Sequence, residues 1–193
     1  MSDTRIPRAR ITGPYGRLLT AYARRTWGQV PDNAYVLWHS RPVLRSVFAF
    51  ERSIQRWHEL DAHLATYAVM ASAATVGCGW CLDFGYFLAH AEGLDEAKVR
   101  EVPRWREAAV FTPLERDVMV YAEAMSATPP TVTDEQVQRL VAELGPAAVV
   151  ELTQLVAVEN QRARFNSAAG LESQGFSSAC ALPLATAGPV AAR

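Results

Sequence analysis

Residues 63–94, HLATYAVMASAATVGCGWCLDFGYFLAHAEGL, decide the fold. The first half puts Ala, Ser and Thr on nearly every side of a helix over Ala62–Val76, with Asp61 as its N-cap. A helix that is small and apolar all round is packed against neighbours all round, so this one is expected at the centre of the molecule. Gly77 interrupts the pattern, a second helix begins around Cys78 and runs to Ala91, and Gly93 is its stop signal.

The same reading extends outward in both directions. Leu18, Leu19, Tyr22 and Ala23 recur at helical spacing within Gly13–Thr26, and Gly28 with Pro31 closes that element. A short piece over Asn33–His39 follows, then a longer helix with Ser40 as cap and Pro42 just inside it. Downstream, Asp95 caps a short helix through Arg100, and Thr112-Pro113 with Glu115 starts a helix to Ser126. Thr133 and Gln136 form a capping box for Asp134–Glu143, and Gly145-Pro146 open a last long helix ending at Gly170. No alternating strand appears, and the expected class is all-α, a single domain. Residues 1–34 read as an N-terminal extension with one helix, and residues 176–193 as a loosely attached tail.

Composition narrows the function. The 193 residues carry 19 basic and 20 acidic side chains, a formal net charge of −1. That balance argues against nucleic acid as a partner. Arg5, Arg8 and Arg10 read as a solvated tail, and because Lys98 is the single lysine the arginines reflect coding bias more than phosphate binding. No run of about 18 apolar residues suggests a membrane span, and MSDTRIPRAR lacks the apolar core of a signal peptide. The expected location is the cytoplasm, where structural disulfides are rare and the three cysteines need separate attention.

Cys78-Gly79-Trp80-Cys81 is a C-x-x-C at a helix start. Residues three apart lie one above the other, so the sulfurs can pair. The free N–H groups and positive dipole end of the first turn favour thiolate. Three readings compete: a redox dithiol, half of a zinc site, and two small buried hydrophobes. Zinc needs about four ligands. Cys180 is remote in sequence, and His39, His58, His63 and His90 make no second close pair, so neither a metal nor another cofactor is expected. A thioredoxin-like reading needs a βαβ context that helices on both sides deny.

The quoted stretch, with EVPRWREAAVFTPLERDVMVYAEAMS and VTDEQVQRLVAELGPAAVVELTQLVAVENQRARFNSAAGLE after it, resembles the AhpD-like alkylhydroperoxidase, or carboxymuconolactone decarboxylase, family over roughly residues 35–175. The resemblance implies an all-helical bundle that assembles into homotrimers or homohexamers. It also implies a thiol peroxidase or disulfide-exchange activity on a hydroperoxide, reset by an unidentified dithiol reductant. Carried over, Cys81 is the peroxidatic cysteine and Cys78 the resolving one. The family's relay histidine, four residues after the second cysteine, is replaced by Gly85, which would leave open space beside Cys81. Its glutamate, twelve residues before the first cysteine, is replaced by Thr66. Asp83 and His90 project away from Cys81, at roughly 200° and 180° around the helix. His63, one turn before Thr66 on the same face, is the substitute proton donor or acceptor that the sequence offers. The alternative is a non-redox enzyme of the decarboxylase branch acting on a small organic acid or lactone, admitted at Gly85. Glu159, Asn160, Arg162 and Arg164 interrupt the apolar last helix and could line a site, bridge subunits or form a solvated face. Trp57, Trp80 and Trp105 could build a pocket, and Cys180 reads as an unimportant exposed thiol.

Overall fold

A computed structural model describes residues 4–186, and every regular element among them is helical. The order is α1 (Gly13–Trp27), α2 (Asp32–Leu37), α3 (Arg41–Ile54), α4 (Ala62–Val76), α5 (Gly79–Ala91), α6 (Glu96–Val99), α7 (Pro113–Ser126) and α8 (Asp134–Ala169), with 3₁₀ turns at Val102–Arg104 and Phe176–Ala179. The class is all-α, as the patterning predicts, and α2 straddles the boundary expected between residues 34 and 35.

Helix α4 is the central element. Leu64, Tyr67, Ala68, Met70, Ala71, Ser72 and Ala73 are buried on several of its faces, against α5, α7 and α8. Small side chains let these helices approach closely enough for polar groups to bond across the core. Ser72 Oγ lies 2.8 Å from Ser126 Oγ of α7, and Asn160 Nδ2 of α8 donates to both, at 3.1 and 2.9 Å. This network leaves its polar atoms paired, the condition for burying them without a large penalty. The Asp61 carboxylate accepts the N–H groups of His63 and Leu64 at the start of α4, and both predicted capping boxes, at Thr112/Glu115 and Thr133/Gln136, are formed.

Two breaks arrange the site. Gly77, at φ 80°, ends α4 in the left-handed region open to glycine and turns the chain straight into α5. Gly145, at φ 81° and ψ 160°, divides α8 into two arms ahead of Pro146, so the break read from Gly-Pro is real although the helix is continuous on either side. By length and composition alone Asp134–Ala169 could cross a membrane. Here it is split at Gly145, and its second arm buries Glu159 in the bundle.

Both termini differ from expectation. Arg5 is no solvated tail: its backbone N–H donates to Ala169 O and its guanidinium to Ser167 O, both at 2.8 Å, closing the end of α8. Arg8 pairs with the buried Asp32. The segment expected to be loose from residue 176 is docked as far as 186. Phe176 is buried, the Tyr86 hydroxyl donates to Leu182 O at 2.9 Å, and Ala185 N donates to Arg100 O at 3.0 Å. Residues 187–193 of that predicted tail lie outside the described residues.

Candidate active site

The first turn of α5 carries the candidate chemistry. Cys78 is its N-cap, Gly79 its first residue, and the Cys81 N–H donates to Cys78 Sγ at 3.2 Å. The two cysteines are joined as a disulfide, and both are buried. When the pair is reduced, the unpaired N–H groups of this turn favour a thiolate. Both cysteines belong to a buried apolar cluster with Ala73 of α4, Ala163 of α8, Val36, Leu171 and Phe176.

One polar side chain enters this shell. Asn166 of α8, itself buried, points Nδ2 at Cys81 Sγ, 3.4 Å away, with Cys78 Sγ at 4.0 Å. Sequence reading stopped at its neighbours Glu159 to Arg164 and missed it. The available signal was spacing: positions 159, 163 and 166 fall on one face of a helix.

Asp83 has a structural task two residues beyond Cys81. Its buried carboxylate accepts the N–H groups of Gln174, Phe176 and Ser177, at 2.9, 3.1 and 2.8 Å. Burial alone would push this carboxyl up; hydrogen bonds from Ser177, Phe176 and Ser173 outweigh it and hold it below the ordinary range. The anchored segment lays Phe176 against Trp80, Phe84 and Phe87, while Gln174 Oε1 accepts from Trp80 Nε1 at 2.8 Å. Trp80 therefore belongs to an aromatic wall beside the dithiol. Trp105 lies in a different part of the core, with Nε1 on Glu123, and Trp57 packs on Phe50, so the three tryptophans form no common pocket.

The other predicted residues are placed as follows. His63 sits in the first turn of α4, its side chain 44% exposed, beside Asp61 and Tyr67. Thirteen residues of helix, about 20 Å, separate it from Val76, so the fold does not bring it to the dithiol within one chain. Gly85 faces the buried Met70 of α4: a Cβ there would stand 3.5 Å from Met70 Cγ, an ordinary packing distance. Arg164 is exposed, and its guanidinium donates to Thr128 Oγ1 at 3.2 Å.

Cys180 is half-buried and not a stray exposed thiol. Its sulfur lies 3.9 Å from Tyr86 O. Burial, then the charges of Glu96 and Asp83, push the thiol up to about 11. With His90 and Glu96 it forms a group whose ligand atoms lie within 4.8 Å of one another. Neither cysteine of the dithiol belongs to it. His90 and Glu96 are already paired, and Glu96 Oε2 also accepts Leu182 N–H at 3.1 Å. A surface depression of about 470 Å³, lined by Arg8, Arg24, Asp32, Tyr35 and Gln174, is polar and reaches neither sulfur.

A helical bundle whose central small-residue helix turns directly into a dithiol helix defines a class of protein, and the comparisons agree with it. The carboxymuconolactone decarboxylase family profile matches residues 42–124. The uncharacterized protein YnjA of Escherichia coli (strain K12) is 31% identical over 180 residues, spanning 88% of this chain and 85% of that protein. The chain belongs to the AhpD-like, carboxymuconolactone decarboxylase family. Its fold matches the alkylhydroperoxidase AhpD core of an uncharacterized peroxidase-related protein from Ralstonia eutropha JMP134, with a TM-score of 0.80, 15% identity, and coverage of 92% of this chain and 96% of that one. It also matches the debrominase Bmp8, solved in complex with 2,3,4-tribromopyrrole as a cysteine-to-alanine variant, with a TM-score of 0.75, 16% identity and coverage of 86% and 89%.

Proposed function

We propose that the chain is a thiol-dependent oxidoreductase that reduces a hydroperoxide with Cys81 and Cys78 and is reset by a partner dithiol. The observation that supports this most is the pairing of the two sulfurs at the first turn of α5, with the Asn166 amide directed at Cys81. Cys81 as thiolate attacks the distal oxygen of ROOH. The O–O bond breaks, a sulfenic acid forms and RO⁻ leaves to take up a proton as ROH. The Cys78 thiol then condenses with the sulfenic acid, releasing water and closing the disulfide. Thiol–disulfide exchange with an external dithiol returns both thiols.

The non-redox alternative, an enzyme acting on a small organic acid or lactone, receives less support, because the paired cysteines have no task in it. Bmp8 suggests one extension: halogenated aromatics belong in the substrate panel beside alkyl hydroperoxides, since that debrominase of similar fold was solved with a tribromopyrrole.

We further propose assembly into homotrimers or homohexamers. Supporting it are apolar side chains left exposed on α1 (Tyr15, Leu18, Tyr22) and α3 (Val43, Phe50), with Leu18 at 69%. The oxidoreductase reading is tested by turnover of a hydroperoxide with dithiothreitol in the wild type, Cys81→Ser and Cys78→Ser. Both variants are expected to lose turnover, and unchanged turnover in Cys81→Ser overturns the assignment.

A further inference from the structure

His90 stands in the last turn of α5, about 14 Å along the helix from Cys81. Gly93, at φ 73°, turns the chain tightly after it, its N–H donating to His90 O at 3.0 Å. Asp95 then caps α6 by accepting the N–H groups of Ala97 and Lys98, so Glu96 is the first helical residue, with its carboxylate facing back across the turn to His90 Nδ1. A third side chain arrives from the C-terminal segment. Cys180 closes the 3₁₀ turn Phe176–Ala179, its N–H donating to Ser177 O at 3.1 Å. The Cys180 sulfur, a ring nitrogen of His90 and a carboxylate oxygen of Glu96 all lie within 4.8 Å of one another. Sequence spacing hides this group, because Cys180 is remote from every histidine along the chain.

Imidazole, thiolate and carboxylate are the three ligand types that zinc takes in proteins. Ligand atoms around a tetrahedral zinc stand about 3.5 Å apart, so side-chain rotations of roughly 1 Å close this group on an ion. Calcium and magnesium take oxygen donors instead, and the sulfur and nitrogen here select against them. Charge agrees with a divalent ion, since one thiolate and one carboxylate beside a neutral imidazole carry the two negative charges it cancels. The surroundings hold the ligands in place. Glu96 Oε2 accepts Leu182 N–H at 3.1 Å, which leaves Oε1 toward His90. The Tyr86 hydroxyl donates to Leu182 O at 2.9 Å and Arg100 Nε to Pro183 O at 3.0 Å, so the chain is fixed on both sides of Cys180. Hydrogen bonds that orient the ligands are the usual support of a metal centre. The His90 side chain is 39% exposed and that of Glu96 16%, a path by which an ion enters and keeps a water as fourth ligand.

We propose that His90, Glu96 and Cys180 bind a zinc-class divalent cation, with water as the fourth ligand, and so clasp residues 176–186 to the turn between α5 and α6. On binding, the Cys180 S–H proton passes to solvent, the sulfur bonds to the metal, and the ion takes the place of the direct contact between His90 and Glu96. No electron is transferred. The clasp stands apart from the dithiol and does not depend on the hydroperoxide reading. Its consequence for the fold is local: the segment that carries Phe176 against the aromatic wall beside Cys81 gains a second anchor, in addition to Asp83.

The test uses the full chain with the Cys78–Cys81 disulfide closed, so that Cys180 is its one free thiol, and titrates it with cobalt(II) and then zinc near neutral pH. One equivalent of cobalt is expected to give thiolate-to-cobalt charge-transfer absorption in the near ultraviolet, and zinc to abolish it. Cys180→Ser is expected to lose the band, and His90→Ala, confirmed folded by circular dichroism, to bind cobalt at least about tenfold more weakly. Zinc should also slow alkylation of wild-type Cys180 by iodoacetamide and proteolysis within residues 176–186, a readout that requires no variant to fold. Cobalt binding without the thiolate band marks an adventitious surface cation and overturns the inference. A band that folded His90→Ala retains at wild-type affinity, or an alkylation rate that zinc leaves unchanged, overturns it as well.

Discussion

Asn166 Nδ2 lies 3.4 Å from Cys81 Sγ, tying the last long helix to the first turn of α5 across 85 residues of sequence. An amide donor aimed at sulfur stabilises the thiolate once the disulfide is reduced, adding to the free N–H groups of the helix start. A hydrogen bond to a charged group contributes roughly 1.5–3 kcal/mol, equivalent to about 1–2 units of pKa. Asn166→Leu should therefore raise the Cys81 thiol by about that amount, measured from thiolate absorbance at 240 nm against pH in the reduced Cys180→Ser protein. An unmoved titration would mean that the amide only fills space.

The Asp83 anchor gives a second prediction. Asp83→Asn replaces a carboxylate that accepts three N–H groups, with an expected loss of roughly 2 kcal/mol and faster proteolysis within residues 173–186. Because the folded-state carboxyl lies below its ordinary value, its stabilisation is present above about pH 4 and is lost as pH falls through the folded value. The stability gap between wild type and Asp83→Asn should accordingly shrink in acid, in urea melts at pH 7 and pH 3.

Glu159 has the opposite sign. Its carboxyl is raised from 4.5 to about 7 on folding, so the native state binds the extra proton. The corresponding stability is full below about pH 4.5 and is lost as pH rises through 7. Raising the pH from 4.5 to 8 should remove up to about 3 kcal/mol in the wild type. Glu159→Gln, which cannot ionise, should show a weaker decline over that window by urea denaturation.

The assembly proposal predicts that the exposed stripe of α1 is covered between copies. Light scattering after gel filtration should give a multiple of three chains, and Leu18→Asp with Tyr22→Asp should lower the mass without loss of helical signal. A monomeric wild type contradicts the proposal.

What could be read from the sequence was local. Gly77, the two capping boxes and the Gly145-Pro146 break act through backbone conformation and hydrogen bonds within a few residues, and each marks a real boundary. The C-x-x-C at a helix start is of the same kind. What could not be read is long-range. The 176–186 segment has no periodicity of its own, and is ordered because Asp83, Tyr86, Glu96 and Arg100 provide its partners. His63 shares a helix face with Thr66, but face periodicity says nothing of distance along the axis, and it ends a helix length from the sulfurs. Met70 lying beside Gly85, and Asn166 reaching Cys81 from α8, depend on how three helices pack, which no single segment encodes.

The central claim is that Cys78 and Cys81 act together as a dithiol toward a hydroperoxide. The most direct measurement is the count of free thiols in reduced protein before and after one equivalent of cumene hydroperoxide. The account predicts loss of two thiols per chain, with Cys180 still free and a Cys78–Cys81 disulfide in the peptide map. Retention of all three thiols would contradict it.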